Sequence, residues 1–346
     1  MTAEKNRQIL LASRPRGEPG PDNFKLVETA VLEAGPGQML LHTVYLSLDP
    51  YMRSRMHARP SYAPPVEIGG VMEGGAVATV VTSNLPGYKA GDIVVAPTGW
   101  QEYSLSDGDG VQKVDAALGP ISYAVGVLGM PGLTAYTGLL NIGKPQPGET
   151  LVVAAASGAV GSVVGQLAKV KGCHVIGIAG GEQKCRFVTE ELGFDACLDH
   201  RQPNLAERLQ EACKSGIDIY FENVGGAVFD AVLPLLNNFA RIPVCGMIAR
   251  YNATELPAGP DRVPLLMRNI LVKRLTFRGF IVTDYHSQFR DFITEMSGWL
   301  REGRVKYRED ITDGLENAPR ELVGLLRGEN FGKKVIRVSP DPAGRS

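Results

Sequence analysis

This chain of 346 residues lacks paired cysteines. None of its five cysteines forms a CxxC pair; they are Cys173, Cys185, Cys197, Cys213 and Cys245. An odd, unpaired set argues against a disulfide framework and against a structural zinc site, and it is typical of a reducing cytoplasm. The five histidines are also scattered along the sequence, so we expect no bound metal.

Charge of one sign is also scarce. Lys and Arg number 36 and Asp and Glu number 37, which gives a net charge of −1 without long runs of either sign. This balance argues against a nucleic-acid or membrane-surface protein. Residues 116–143 and 150–168 are uncharged and could be mistaken for membrane spans. Glycines interrupt both ranges and prolines interrupt the first, so we interpret them as buried strand–turn–helix segments. The N-terminus has no apolar core of about 7–15 residues, so we expect no export signal.

What the sequence does contain is a change of pattern near residue 130. Between Leu40 and Gly129, short apolar runs such as LLHTVYLSL and AVATVV alternate with Gly, Pro and Asn. This part predicts an all-β, barrel-like domain. From Thr150 onward, strand-like LVVAAA, a helical run with valines on one face, and strand-like HVIGIAG follow one another. Such alternation predicts a parallel, doubly wound sheet, and therefore an α/β fold class.

The second half continues the same rhythm. Helices are predicted over Asn204–Lys214, Phe229–Ala240 and Gln288–Glu302, and strands in IDIYFENVG and RIPVCGMI. The last forty residues return to short strands that end in KKVIRV. We therefore expect a first domain of residues 1–129, completed by 306–346, and a nucleotide-binding domain of residues 130–305.

A glycine motif stands where the first strand of the second domain meets its helix. LVVAAASGAVGSVVG contains Ala156-x-Gly158-x-x-Gly161, with alanine in place of the first glycine. Gly158 lets the backbone approach a pyrophosphate, and Gly161 lets the helix pack closely on the strand. The helix N-terminus offers N–H groups and a partial positive charge. The motif predicts a dinucleotide site, with a ligand-free tight turn as the alternative.

The same residues resemble a known family. AAASGAVGSVVGQLAKVKGCHVIGIAGG, flanked by GMPGLTAYTGLL and ENVGG, is similar to the zinc-free branch of the medium-chain dehydrogenase/reductase superfamily, in the group of leukotriene 12-hydroxydehydrogenase and alkenal double-bond reductase. LSLDPYMRSRM, RYNATELPAGPDR and ENFGKKVIRV extend the likeness over nearly the whole chain. The resemblance implies a GroES-like β-barrel domain beside a Rossmann domain. It also implies a homodimer that reduces the C=C bond of enones and enals, curcumin-like enones included.

The cofactor can be chosen from the end of the second strand. Enzymes of this fold that use NAD carry an Asp or Glu there, about 20 residues after the glycines, to accept the ribose 2′-hydroxyl. Here Ala179 and two glycines, Gly180 and Gly181, hold that place. Glu182 lies beyond the strand and is interpreted as a helix-start acid. Lys184 is a solvated helix lysine or a phosphate ligand, and the resemblance favours the ligand and NADP(H).

Further cofactor contacts follow from the resemblance alone. His200 falls where relatives often carry a Tyr near the phosphate, and a His can also donate a hydrogen bond. Phe280, Ile281 and Val282 are expected to form a strand beside the nicotinamide. The remaining implied contacts are Gly158, Ala159, Val160, Gly161, Ser162, Gly181, Asn223, Cys245, Gly246, Tyr251 and Asn330.

Tyr51 in LDPYMRSRM is the first candidate for catalysis. Hydride transfer to the β-carbon of an enone places negative charge on the carbonyl oxygen, and a donor aimed at that oxygen supplies about 2.7–4 kcal/mol. Tyrosine donates without bringing a charge, and a tyrosine in this motif is catalytic in the resembled family. The alternative is a half-buried tyrosine that anchors the barrel. Tyr251 is the second candidate, and Tyr136 is interpreted as a core residue.

Two other functions remain open from the sequence. A quinone reductase of the same zinc-free branch shares the cofactor site but does not need the tyrosine of LDPYMRSRM. A nucleotide-binding sensor or structural protein keeps the fold without turnover. The intact Tyr51 and the complete set of cofactor motifs favour the enone reductase.

Overall fold

The computed structural model of the chain describes residues 5–342 and 344, and it separates into two compact units. The first unit comprises the chain up to Gly126 and again from Glu309 onward. The second unit comprises Val127–Arg308. Residues 127–129 and 306–308, which the sequence pattern assigned to the first domain, therefore belong to the second unit.

The described residues contain fifteen strands and nine α-helices. The strands are β1 Lys5–Leu11, β2 Phe24–Ala30, β3 Met39–Ser47, β4 Ala76–Ser83, β5 Ile93–Ala96, β6 Tyr103–Ser106, β7 Gln112–Lys113, β8 Thr150–Ala154, β9 His174–Ala179, β10 Ala196–Asp199, β11 Ile217–Phe221, β12 Leu236–Val244, β13 Thr276–Gly279, β14 Glu309–Asp313 and β15 Lys333–Arg337. The α-helices are α1 Met52–Arg55, α2 Met130–Thr137, α3 Gly161–Val170, α4 Glu182–Arg186, α5 Leu205–Ala212, α6 Gly226–Val232, α7 Val263–Lys273, α8 Phe289–Arg301 and α9 Ala318–Leu326.

The first unit is built on one large sheet. Its strands follow the order β14-β15-β3-β4-β5-β7, and β6 also pairs with β3. β3 is buried along almost its whole length, because β4, β6 and β15 all bond to it. Trp100, which is fully buried, and the apolar side chains of α1 and α9 fill the core on one side. The C-terminal strand β15 is thus an interior strand of this sheet.

The second unit contains the predicted doubly wound sheet. Six strands lie in the order β10-β9-β8-β11-β12-β13, and all five pairings are parallel. Counted from β8, this is the order 3-2-1-4-5-6 of the Rossmann fold. The strand order reverses between β8 and β11. The carboxyl ends of these two strands therefore border the crevice in which such folds bind their ligands.

One helix prediction is wrong in its second half. The range Phe229–Ala240 was expected to be helical, but α6 ends at Val232 and β12 occupies the end of the range. Pro234 explains the difference, because a proline inside a helical pattern removes a donor and ends the helix before it. β12 then bulges against β11, and Phe239 in the bulge has a φ of 64° and an exposed ring.

The C-terminal forty residues also differ from the predicted run of short strands. They include helix α9, whose buried residues are Ala318, Leu322 and Leu325. Their spacing of four and three residues puts them on one helical face, which packs into the core of the first unit. The sequence itself contains this helical period, between two strand-like segments. Tyr136 is buried, as its interpretation as a core residue requires.

Candidate functional site

The turn between β8 and α3 is tightly closed. Ala155 has a φ of 54°, and its carbonyl oxygen accepts a hydrogen bond from the Gly158 N–H at 2.9 Å. A Cβ on Gly161 would lie 2.3 Å from the same oxygen, which no side chain tolerates. Gly161 is therefore required by close packing of the helix start against the strand end, as the motif predicted.

This turn presents a row of free donors. Among the described residues, the N–H groups of Ala159, Val160 and Gly161 find no hydrogen-bond acceptor. The next N–H, that of Ser162, bonds to the Gly158 carbonyl at 3.1 Å, and the Ser162 side chain is buried. Three consecutive unsatisfied donors at the start of a ten-residue helix form a site for a phosphate group. The residues present therefore fit the pyrophosphate of a dinucleotide.

Asn223 links the two strand ends that border the crevice. Its side-chain amide donates to the carbonyl of Ala154, the last residue of β8, at 2.9 Å. Glu222, which precedes it, is buried and was missed by the sequence interpretation. Its Oε1 accepts from the N–H groups of Val224 and Gly225 at 2.7 and 2.8 Å. The loop after β11 is thereby held in one conformation beside the crevice.

The electrostatic setting of Glu222 follows from the same contacts. Burial raises the pKa of its carboxyl, while the donors around Oε1, including the Tyr220 hydroxyl at 3.0 Å, pull it back. The sequence carries a signal for this residue. An acid comes directly after the strand IDIYF and is followed by Asn, Val and two glycines. Glu222 shapes the loop and does not face a reacting group among the described residues.

Cys245, Gly246 and Tyr251 lie at the carboxyl end of β12. The N–H groups of Cys245 and Gly246 both bond to the Glu222 carbonyl, at 2.9 and 3.1 Å. A Cβ on Gly246 would lie 3.1 Å from the Tyr251 hydroxyl oxygen, so this hydroxyl packs over the glycine backbone. Burial raises the pKa of the Cys245 thiol to about 12, which keeps it protonated and unreactive.

The strand predicted at residues 280–282 is wrong in position. β13 ends at Gly279, and Phe280 follows it at the carboxyl edge of the sheet. The Phe280 ring meets Phe221 edge-on, with 6.3 Å between centroids. A Cβ on Gly138 would lie 2.5 Å from Phe280 Cζ, so the glycine makes room for this ring. Ile281 and Val282 continue into a helical turn, and all three remain at the edge where the cofactor contacts were expected.

The residues predicted to recognise the ribose end lie together at the end of β9. Gly181 precedes α4, and its N–H donates to Asp199 Oδ1 at 2.9 Å. His200 is bonded to the same strand end, through its N–H and the Ala179 carbonyl at 3.0 Å. Burial first, and then the charge of Arg201, lower the pKa of His200, and the charge of Lys184 lowers it further. Arg201 was missed by the sequence interpretation.

Tyr51 belongs to the first unit and lies directly before helix α1. Its ring packs against the apolar core around Trp100, and the guanidinium carbon of Arg55 lies 5.6 Å from its centroid. The Tyr51 hydroxyl forms no hydrogen bond with any residue among 5–342 and 344. Burial, then the charges of Asp49 and Glu73, raise the pKa of Tyr51 far above its ordinary value. The side chain is therefore a neutral donor throughout the physiological pH range.

Arg55 fixes the surroundings of this tyrosine. Its side chain is 3% exposed, and its Nε donates to Glu73 Oε1 at 2.6 Å. It also stacks over the ring of Tyr62, with 4.3 Å from the guanidinium carbon to the centroid. Asn330, the other predicted contact in the first unit, donates to the Gly332 carbonyl at 2.7 Å and stabilises the turn before β15.

Comparison with known proteins identifies the family. Two family profiles match, "N-terminal domain of oxidoreductase" over residues 7–114 and "Zinc-binding dehydrogenase" over residues 159–298. The chain is 60% identical over 339 residues to NADPH-dependent curcumin reductase of Escherichia coli (strain K12), which covers 98% of both chains. It is 41% identical over 326 residues to prostaglandin reductase 1 of Rattus norvegicus, with 93% of this chain and 95% of that one covered. The chain belongs to the medium-chain dehydrogenase/reductase superfamily.

A solved structure supports the same assignment within this superfamily. The crystal structure of CurA from Vibrio vulnificus in complex with NADPH matches with a TM-score of 0.94 and 55% identity, over 97% of this chain and 100% of that chain. These findings confirm the predicted family group, the fold class of a GroES-like domain with a Rossmann domain, and NADP(H) as the cofactor of this medium-chain reductase.

The family matched over residues 159–298 is described as zinc-binding, so we examined the side chains that could hold a metal ion. In the part of the chain that the structure describes, no three His, Cys, Asp or Glu side chains lie close enough together to hold a metal ion.

The described helices of this medium-chain reductase include none with the length and apolar character needed to cross a bilayer.

Proposed function

We propose that this protein reduces the C=C bond of α,β-unsaturated ketones and aldehydes, with NADPH as the hydride donor. The free N–H groups of Ala159, Val160 and Gly161, at the start of α3, carry the cofactor part of the proposal. The strand end at Gly180 and Gly181 lacks the acid that an NAD enzyme uses. The substrate class is supported by the 60% identity to a curcumin reductase and the 41% identity to a prostaglandin reductase.

Each predicted residue has a definite task in this proposal. The row of N–H donors from Ala159 to Gly161 binds the pyrophosphate, and Asn223 holds the loop beside it. Phe280 provides an apolar wall near the sheet edge and excludes water. When bound, the nicotinamide supplies a hydride to the electron-poor β-carbon of the enone. The remaining contacts, at Ser162, Cys245, Gly246, Ile281, Val282 and Asn330, are proposed to shape the cofactor site.

Tyr51 is proposed to stabilise the enolate that forms when the substrate accepts a hydride. Hydride addition at the β-carbon moves negative charge onto the carbonyl oxygen as an enolate. A neutral hydroxyl donating to that oxygen lowers the barrier. A proton from solvent, delivered directly or through the Tyr51 hydroxyl, then bonds to the α-carbon. The raised pKa of Tyr51 and its lack of a partner among the described residues support this role. Tyr251 is proposed as the second tyrosine at the substrate.

Steady-state kinetics test the proposed function directly. The oxidation of NADPH and of NADH is followed with curcumin, a short 2-alkenal and a quinone, and the products are analysed by mass spectrometry. We expect a preference for NADPH and saturation of one C=C bond in the enone and the enal. Equal use of NADH contradicts the cofactor assignment. Quinone reduction without enone reduction assigns the protein to the quinone reductases, and binding of NADPH without any turnover assigns it to the non-catalytic sensors.

We also propose that two copies of the chain associate. β13 has β12 as its only partner in the sheet among the described residues, so one strand edge is open. Helix α7, which precedes β13 in the chain and packs against β12, exposes at least half of five large apolar side chains: Val263, Leu265, Met267, Leu271 and Val272. Such a surface is typical of a protein–protein interface. Light scattering of the purified protein should give twice the mass of 37.2 kDa, and a monomer at micromolar concentration contradicts the proposal.

A cytoplasmic location completes the proposal. The odd number of cysteines and the lack of CxxC spacing in the sequence support a reducing compartment. Fractionation of the producing cell should place the activity in the cytoplasmic fraction, and recovery from an extracytoplasmic fraction contradicts it.

A further inference from the structure

The side chain of Arg201 lies across Gly180 and Gly181, the two glycines that follow β9. A Cβ on Gly180 would lie 3.0 Å from Arg201 Nε and 3.3 Å from Arg201 Cζ. A Cβ on Gly181 would lie 3.6 Å from Arg201 Nη1. The guanidinium thus covers the place where an NAD enzyme carries its ribose-binding acid. A side chain at position 180 would crowd the guanidinium, whereas a Cβ at position 181 would meet it at an ordinary contact distance.

The backbone of Arg201 is fixed to the same strand end. Asp199 Oδ1 accepts from the N–H of Gly181 and from the N–H of Arg201, both at 2.9 Å. Arg208 stabilises the turn after β10, because its side chain donates to the carbonyls of Asp199 and Gln202 at 2.7 and 3.3 Å. The Arg201 side chain therefore starts from a rigid base, although its end is exposed to solvent.

The guanidinium itself is not used in the protein. None of its nitrogens has a hydrogen-bond or ion-pair partner among residues 5–342 and 344. Three basic side chains act at this point, since the charges of Arg201 and Lys184 both act on His200. Asp199 opposes them, but its Oδ1 is already bonded to two backbone donors. The balance is an excess of positive charge beside an open strand end.

We propose that Arg201 is a specificity-determining residue that binds the 2′-phosphate of NADP(H). This rests on the cofactor of the proposed function. A guanidinium offers two parallel donors to two phosphate oxygens, whereas the ammonium of Lys184 acts as a point charge. Gly180 leaves the space that Arg201 occupies, so it contributes to the preference. Lys184 and His200 add charge and a hydrogen bond beside it.

Calorimetry with cofactor fragments tests this without turnover. The probes are 2′,5′-ADP, which carries the 2′-phosphate, and 5′-AMP, which lacks it. We expect Arg201→Gln to weaken 2′,5′-ADP by about tenfold to a hundredfold, because a hydrogen bond to a charged group contributes that much, and to leave 5′-AMP within about twofold. Arg201→Lys should fall between wild type and Arg201→Gln, since it keeps the charge but loses the paired donors.

A matched control and a second variant separate the possible outcomes. Arg186 on the exposed side of α4 pairs with Glu182 at 3.7 Å. Arg186→Gln removes the same charge and should leave the affinity for both probes unchanged. Gly180→Ala keeps every charge, but its Cβ displaces Arg201 Nε and His200 Nε2, so it should also weaken 2′,5′-ADP selectively. Thermal unfolding verifies that each variant is folded.

The results distinguish this inference from the proposed cofactor. If wild type binds both probes equally, the NADP(H) assignment itself fails. If wild type prefers 2′,5′-ADP and Arg201→Gln keeps the full preference, the role of Arg201 is overturned while the cofactor assignment stands. If Arg186→Gln weakens 2′,5′-ADP as much as Arg201→Gln does, the effect is general electrostatics and Arg201 has no specific role.

Discussion

Lys333 Nζ lies 2.8 Å from Asp49 Oδ1, and the two side chains are 1% and 8% exposed. The same ammonium donates to the Leu48 carbonyl at 2.7 Å, and the Ser47 hydroxyl donates to the other carboxylate oxygen of Asp49. β15 therefore holds the loop that leads from β3 to Tyr51, two residues after Asp49. A residue near the end of the chain supports the backbone of the proposed catalytic tyrosine.

Breaking this ion pair should strongly destabilise the first unit. Lys333→Met leaves the Asp49 carboxylate buried without its counter-charge, which costs about 3–5 kcal/mol of unfolding free energy. The double variant Asp49→Asn with Lys333→Met removes both charges and should recover a large part of that loss. Urea unfolding measures both. Equal stability of the single and double variants would show that the pair is not energetically coupled.

Removing the Tyr51 hydroxyl should affect turnover more than binding. Tyr51→Phe is expected to lower kcat for enones by about 10²–10³, the usual cost of one donor to an oxyanion, with an unchanged Kd for NADPH. Tyr88→Phe is the control, because Tyr88 is in the same unit and its hydroxyl donates to the Val111 carbonyl at 3.2 Å. Stopped-flow kinetics separate the steps, and full enone activity of Tyr51→Phe excludes the catalytic role.

The pH profile offers a second test of the same residue. Because the pKa of Tyr51 is raised, its hydroxyl stays protonated well above neutral pH. kcat for the enone should therefore show no loss from tyrosine ionisation between about pH 9 and pH 11, where a tyrosine with the ordinary pKa of about 10 would lose its proton. A decline of kcat in that window that disappears in Tyr51→Phe contradicts the protonated donor.

Gly161→Ala should disrupt the cofactor turn. Its Cβ would lie 2.3 Å from the Ala155 carbonyl oxygen, so backbone must move, at a cost of roughly 1–3 kcal/mol. The shifted turn should also weaken NADPH binding, measured by fluorescence titration. Gly298→Ala in α8 is the control, because no atom lies within 4 Å of its Cβ and helix propensity favours alanine. If both variants bind NADPH as wild type does, the close packing at Gly161 is not required.

Binding of the 2′-phosphate should take up protons at neutral pH. Burial, then the charges of Arg201 and Lys184, depress the pKa of His200, so it is mostly neutral without ligand. A doubly negative phosphate favours the imidazolium and raises this pKa, so affinity for 2′,5′-ADP grows as pH falls through the new value. Calorimetry in buffers of different ionisation enthalpy measures the uptake, which should disappear in His200→Gln. Uptake that persists in this variant assigns the proton to another group.

Local patterns were sufficient for much of the second unit. The glycines at 158 and 161 and the missing acid at 179–181 are features of contiguous sequence, and each has a direct geometric consequence. Alternating apolar and helical runs gave the order of strands and helices, because burial and period act over a few residues. Where a single residue overrode the pattern, as Pro234 did before β12, the prediction of Phe229–Ala240 failed.

Contiguous residues are enough to predict a dinucleotide turn without an NAD-type acid, since both features depend on neighbours in the chain. In contrast, the folded structure is needed to identify the cation that covers the acid-free strand end and the residue that supports Tyr51. Arg201 follows β10, and its meeting with Gly180 depends on the parallel pairing of β10 with β9. Lys333 reaches Asp49 because β15 pairs with β3 across almost the whole length of the chain. Contacts of this kind arise from strand pairing, which no local sequence pattern encodes.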